Sequence, residues 1–229
     1  MVQVNDTKQI IRFRMKKTGS LQYISHLDLV RTMHKVIVRA KLPLWYTEGF
    51  NPKPKMVFAA PLSIGTESVC EFMDVRLNDY IAPEEAMNCL NANLTDEMQV
   101  VECYYAESKF TDLKWLSYTI TITTDKADET LASACAKALA APVIEVAKKN
   151  SDKIFDIKPL IKKADVKLVN NSIIISAILS ADPSTFLNPE YVIKALRDKC
   201  GILSSDNLLS ESYSIMRKEA YCDDMTIFR

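Results

Sequence analysis

The chain has 229 residues, no net formal charge, and an ordinary globular makeup with 48% hydrophobic and 25% charged residues. No stretch approaches the ~20 consecutive apolar residues of a membrane-spanning helix, and the start MVQVNDTKQI lacks a secretory-leader pattern, so a cytoplasmic protein with no membrane contact is expected. The six cysteines stand singly, at 70, 89, 103, 135, 200 and 222, without C-x-x-C or C-x-x-H spacing. That spacing argues against locally encoded zinc and iron–sulfur sites, and the expectation is reduced thiols, no metal and no cofactor.

The elements follow in chain order. Residues 9–17 (QIIRFRMKK) alternate Ile11, Phe13 and Met15 with Arg12, Arg14 and Lys16, the period of a half-buried strand with a charged outer face. Ser25, with Asp28 three residues on, reads as a capping box opening a helix over 26–41. Val30, Met33, Ile37 and Ala40 form its buried stripe, and Arg31, Lys35 and Arg39 form a basic stripe at four-residue spacing. Pro43 ends the helix, and LPLWYTEG reads as extended. Residues 49–68 (GFNPKPKMVFAAPLSIGTES) read as a shaped loop flanking a strand at 56–60. A strand at 68–77, a helix at 82–94 opened by Pro83, and a strand at 98–105 complete the first half. The second half gives a strand at 116–123, an Ala-rich helical run at 125–150 broken near Pro142, and strand-like pieces over 155–169. A strand at 172–180, a helix from 188–190 to 199 stopped by Gly201, and a strand at 211–222 close the chain.

The order strand, helix, strand, strand, helix, strand thus occurs twice. The expected fold is α+β, built from two tandem ferredoxin-like (βαββαβ) units over residues 1–107 and 115–229. Charge divides with it. Residues 1–60 hold eleven cations (Lys8, Arg12, Arg14, Lys16, Lys17, Arg31, Lys35, Arg39, Lys41, Lys53, Lys55) against three acids (Asp6, Asp28, Glu48), a balance of +8 that leaves −8 for the remainder. A basic first quarter on an acidic body suggests one surface that attracts a polyanion.

Residues 19–77 also carry a resemblance. Gly19, the run Tyr23-Ile24-Ser25-His26-Leu27-Asp28-Leu29-Val30-Arg31, Arg39-Ala40, Gly49-Phe50-Asn51-Pro52-Lys53-Pro54, Ala60 to Ser68 and Glu71 to Val75 resemble the radical-SAM-linked DUF2344 family. Its members look like companions, or fused C-terminal domains, of B12-binding radical SAM proteins. The resemblance implies a radical SAM protein as partner. The chain itself lacks the C-x3-C-x2-C spacing of a radical SAM cluster, and it has neither a G-x-x-x-x-G-K-[ST] loop nor a G-x-G-x-x-G turn.

The candidate site residues follow from charge and shape. An RNA surface is expected from Arg12, Arg14, Lys16, Arg31, Lys35 and Arg39 together with Tyr46, Phe50, Asn51, Lys53 and Lys55. Gly49, Pro52, Pro54, Pro61, Gly65 and Ser68 shape the loops beside it, with Tyr23 and Trp45 as further stacking faces. His26 at the helix start is the candidate proton-transfer residue, with a capping or structural role as its competitor. His34 reads as a surface histidine. Glu67, Glu71 and Asp74 read as solvated strand acids in preference to a metal cluster. Tyr213, Met216, Arg217 and Lys218 are weaker RNA candidates.

The leading expectation is a non-catalytic adaptor that presents tRNA or rRNA to a radical SAM partner. The alternatives are a metal-independent endoribonuclease using His26, and a module that binds a small molecule or peptide through residues 49–68.

Overall fold

The computed structural model describes residues 9–148, 151, 153–204 and 210–229. Lys8 and Asp6 of the charge count, and residues 149 and 150 of the expected Ala-rich helix, lie outside these. The fold is α+β, with four α-helices among the described residues. The chain divides into two compact units, Met1–Phe110 with Arg229, and Thr111–Phe228.

The first unit contains strands β1 (Gln9–Lys17), β2 (Met56–Phe58), β3 (Thr66–Leu77) and β4 (Met98–Tyr105), with helices α1 (His26–Arg39) and α2 (Pro83–Asn91). Its strands lie in the order β4-β1-β3-β2, every pair antiparallel. Alternation sorts β1 into two faces. Ile11, Phe13 and Met15 turn to one side and join Met73, Val75 and Leu77 of β3 under Leu29, Met33, Val36 and Ile37 of α1. Ile10, Arg12, Asp74 and Arg76 turn to the other, with Arg12 opposite Asp74 and Ile10 opposite Arg76. Each large apolar side chain in that core contributes about 1.5–3 kcal/mol by leaving water. Ser25 caps α1, its Oγ accepting the Asp28 N–H at 3.2 Å and donating to the Asp28 carboxylate at 2.7 Å.

The second unit contains β5 (Trp115–Thr124), α3 (Glu129–Ala140), β6 (Glu145–Ala147), β7 (Ile154–Asp156), β8 (Ile161–Val169), β9 (Ser172–Ser180), α4 (Glu190–Cys200) and β10 (Glu211–Tyr221). Its main strands lie in the order β10-β5-β9-β8, with all three pairs antiparallel, and β6 pairs with β7. Ile120, Ile122, Ile173 and Ile175 are fully buried, as are Cys135, Val192 and Leu196 from the helices. Asp128 caps α3 by accepting the Leu131 N–H at 2.7 Å, and Gly201, at φ 66°, ends α4 in the left-handed region.

The segment LPLWYTEG makes isolated bridges, Leu44 to Leu77 and Tyr46 to Pro54. The Ala-rich helix ends at Ala140, before Pro142 as expected, and residues 145–147, which do not read as strand in the sequence, pair with β7.

Candidate nucleic-acid interface

The basic residues expected to form one surface are distributed over two faces of the first unit. On the outer side of α1, Arg31, Lys35 and Arg39 are all exposed, four residues apart, and span about 12 Å along the helix axis. Arg31 meets the Asp28 carboxylate at 3.3 Å, with both side chains more than half exposed. Such a surface pair is worth about 0–1 kcal/mol, so a phosphate can displace it at little cost.

Beside this stripe His26, Val30 and His34 form a half-buried row at i, i+4 and i+8. The His26 ring stands edge-on to Phe58 with centroids 5.7 Å apart, and it makes no side-chain hydrogen bond or ion pair among the described residues. His34 keeps its Nδ1 enclosed without a hydrogen-bond partner among the described residues. Burial lowers its pKa from the usual histidine range, and the nearby Lys53 ammonium lowers it further, so the ring is neutral at pH 7. Lys53 therefore lies toward α1.

The loop carrying Lys53 is closed at its base. Thr47 donates its N–H to the Lys53 carbonyl at 2.9 Å, and the Lys53 N–H returns to the Thr47 Oγ1 at 3.1 Å. Gly49, Phe50, Asn51 and Pro52 form the tip, and all are exposed. Gly49 sits at φ 120°, open to glycine and strained for other residues. Phe50 is wholly exposed and Tyr46 is 42% exposed, so neither fills the core. The Phe50 ring therefore stands in water at the loop tip, three residues before Lys53. Pro54, by contrast, is buried.

Arg12, Arg14 and Lys16 of β1 lie on the face away from α1. Arg12 is fully buried: its Nε and Nη2 donate to both oxygens of Asp74 at 2.7 and 2.8 Å, and Nη1 donates to Ser108 Oγ at 2.9 Å. Phe110 stacks on it, 4.5 Å from the guanidinium carbon to the ring centroid. This arginine has no surface to offer a polyanion. Arg14 is mostly covered and meets Glu102 at 3.4 Å, and Lys16 is half-buried. Lys17, past a bulge in β1, is buried with its Nζ donating to the Leu21 carbonyl.

Lys55 is exposed and lines a cavity of about 290 Å³ on this second face, with Ile10, Val57, Asp74, Arg76 and Phe110. Sequence reasoning missed Arg76, whose guanidinium lies 4.8 Å from the centroid of Trp45. Its signal was the alternation of β3, which places it on the Asp74 side.

The segment 61–68 is structural. Gly65, at φ 82°, donates its N–H to the Gln22 carbonyl at 2.9 Å, and Ser68 is buried with its Oγ accepting the Cys70 N–H. Pro61 is exposed. Glu67 accepts the Gly19 N–H at 2.7 Å, Glu71 is buried, and Asp74 holds Arg12, so these acids do not converge on a point. Among the described residues no cluster of His, Cys, Asp or Glu could hold a metal ion. Burial pushes the Cys103 and Cys135 thiols up to about 12, with Cys200 adding to the shift at Cys135, so neither is a thiolate at neutral pH. In the second unit Tyr213 donates to Glu190 at 3.1 Å, Arg217 is buried, Met216 is half-buried and Lys218 is exposed.

A family model described as an uncharacterized protein conserved in bacteria (DUF2344) matches residues 10–189. The chain belongs to the DUF2344 family. No curated protein matches it. Among solved structures, it is similar to a chain of a Cbf5-Nop10-Gar1 complex at 10% identity and a TM-score of 0.48, over 93% of this chain and 48% of that one. It thus spans about half the length of that relative. An unknown protein from Galdieria sulphuraria matches at 10% identity and a TM-score of 0.25, over 92% of this chain and 98% of that one. Among the described residues no helix is long and apolar enough to cross a membrane.

Proposed function

We propose that this DUF2344 protein is an RNA-interacting adaptor, built from two ferredoxin-like units, that presents tRNA or rRNA to a radical SAM partner. The strand orders β4-β1-β3-β2 and β10-β5-β9-β8, with a helix after the first and third strands of each, support the ferredoxin-like reading. The single observation that carries RNA binding is the exposed row Arg31, Lys35 and Arg39 on α1, with Lys53 near His34 of the same helix and Phe50 exposed on the loop that carries Lys53. Cations at this spacing track a phosphate backbone, and a solvent-held ring adds sequence-tolerant stacking. The radical SAM partner rests on the resemblance in residues 19–77. A cytoplasmic setting accords with six free cysteines. The acidic remainder of the chain is proposed as the protein-docking part.

Electrophoretic mobility measured against tRNA and rRNA fragments across a salt series tests the reading. Micromolar binding that weakens steeply with salt is expected, since each phosphate contact contributes about 0.7–0.9 to the log–log slope. A protein that binds no RNA at low salt has a different function.

A further inference from the structure

The second face of the first unit holds a site of its own, apart from the α1 surface. Its floor is the strand pairing that sets Ile10 opposite Arg76 and Val57 opposite Asp74. Its walls are Ile10, Val57 and Phe110, and the first two remain 43% and 46% exposed, so apolar surface is left wet. Lys55 and Arg76 enter the same cavity. Neither forms an ion pair with a carboxylate among the described residues, and Arg76 Nε is enclosed without a hydrogen-bond acceptor among them. Trp45 steadies the Arg76 guanidinium from one side, which reduces the freedom lost on binding.

Asp74 does not neutralise these cations, because Arg12 already engages both of its oxygens and balances its charge. The cavity therefore combines two uncompensated positive charges, apolar walls, and a carboxylate whose remaining lone pairs accept from N–H donors. An inorganic anion would leave the walls in water, and an aliphatic carboxylate would leave Asp74 facing hydrocarbon. A phosphate joined to a flat ring with N–H groups on its edge satisfies all three features. The 290 Å³ volume is near the lower end of small-molecule sites, a size for one such ring and its phosphate.

We infer that the cavity lined by Lys55, Arg76, Val57, Ile10, Asp74 and Phe110 binds a single nucleotide. Lys55 and Arg76 hold its phosphate, the apolar walls cover the ring, and Asp74 receives its N–H edge. The nucleotide is either free or an unstacked unit of an RNA strand, and the chemistry recognised is the same.

Titration calorimetry of the full chain with nucleoside 5′-monophosphates, with the matching nucleosides and with inorganic phosphate tests the assignment. Saturable binding of at least one mononucleotide, about tenfold tighter than its nucleoside or phosphate alone, is expected. Lys55→Glu, at an exposed position that leaves folding intact, reduces that affinity about tenfold, and Val57→Trp fills the cavity and removes binding. Displacement of a bound single-stranded RNA by the mononucleotide identifies the ligand as a unit of a strand. Binding without displacement identifies a free nucleotide. The triple variant Arg31→Ala, Lys35→Ala, Arg39→Ala keeps mononucleotide binding. If that variant also keeps full RNA affinity, the α1 reading fails and the cavity assignment stands. No saturable mononucleotide binding, binding no tighter than phosphate, or binding unchanged in both cavity variants would overturn the inference.

Discussion

The two units share a strand order but present opposite chemistry from equivalent elements. The first strand of one, β1, carries Arg12, Arg14 and Lys16 on the side turned from its helices, and the first strand of the other, β5, carries Ser117, Thr119, Thr121 and Thr123. The first helices differ in the same way. Exposed positions of α1 include Arg31, Lys35 and Arg39, and those of α3 are Glu129, Thr130, Ser133, Ala136, Lys137 and Ala140. Their buried stripes are alike in kind, Leu29, Met33 and Ile37 against Ala132, Cys135 and Leu139. Packing therefore specifies the arrangement in both units, and the exposed cations Arg31, Lys35 and Arg39 of α1 lie outside it.

The sharpest test separates cations that hold the fold from cations that face outward. Arg12→Ala leaves the mostly covered Asp74 without its bidentate partner, and denaturant unfolding should show a loss of about 2–4 kcal/mol. Arg31→Ala, at an exposed surface pair, should stay within about 0.5 kcal/mol of the parent. Equal losses from the two changes would erase the distinction.

For RNA, the triple alanine variant of Arg31, Lys35 and Arg39 should bind about 10- to 100-fold more weakly, with a salt dependence shallower by about two to three contacts. Lys137→Ala on α3 should leave RNA affinity unchanged. The helix caps give a smaller and symmetrical effect. Ser25→Ala and Asp128→Ala each remove one side-chain acceptor from a helix start and should each lower stability by about 1 kcal/mol.

The smallest effect is pH-dependent. His34 has its pKa lowered in the fold, so below about 6.5 the unfolded chain takes up the proton more readily and stability declines as pH falls. A phosphate bound beside Lys53 reverses that bias by favouring the charged ring. RNA affinity should thus rise by less than about tenfold as pH drops from 7 to about 5.5, with His34→Gln flattening the profile. An identical profile in the variant removes His34 from the interface.

Legibility differed by element. Met98–Tyr105 and Ser172–Ser180 are strands with the boundaries read from the sequence, and Ser25 caps α1 as its spacing to Asp28 implies. Local hydrogen bonding and period-two burial are written in neighbouring residues, so they can be read there. Residues 145–147 do not read as a strand because three residues are too few to show a period.

The amino-acid order alone determined the cap of α1, the row Arg31, Lys35 and Arg39, and the concentration of charge in the first sixty residues. Tertiary structure alone decided which cations remain available. Arg12 and Lys55 both sit on the face turned from α1, yet Phe110 and Ser108 cover the first and leave the second open. Lys53 and Lys55 are two residues apart, yet Lys53 lies near His34 of α1 while Lys55 lines the cavity on that face. The reason is physical: alternation fixes the side of a strand to which a residue points, but solvent access depends on distant segments that come to lie over it.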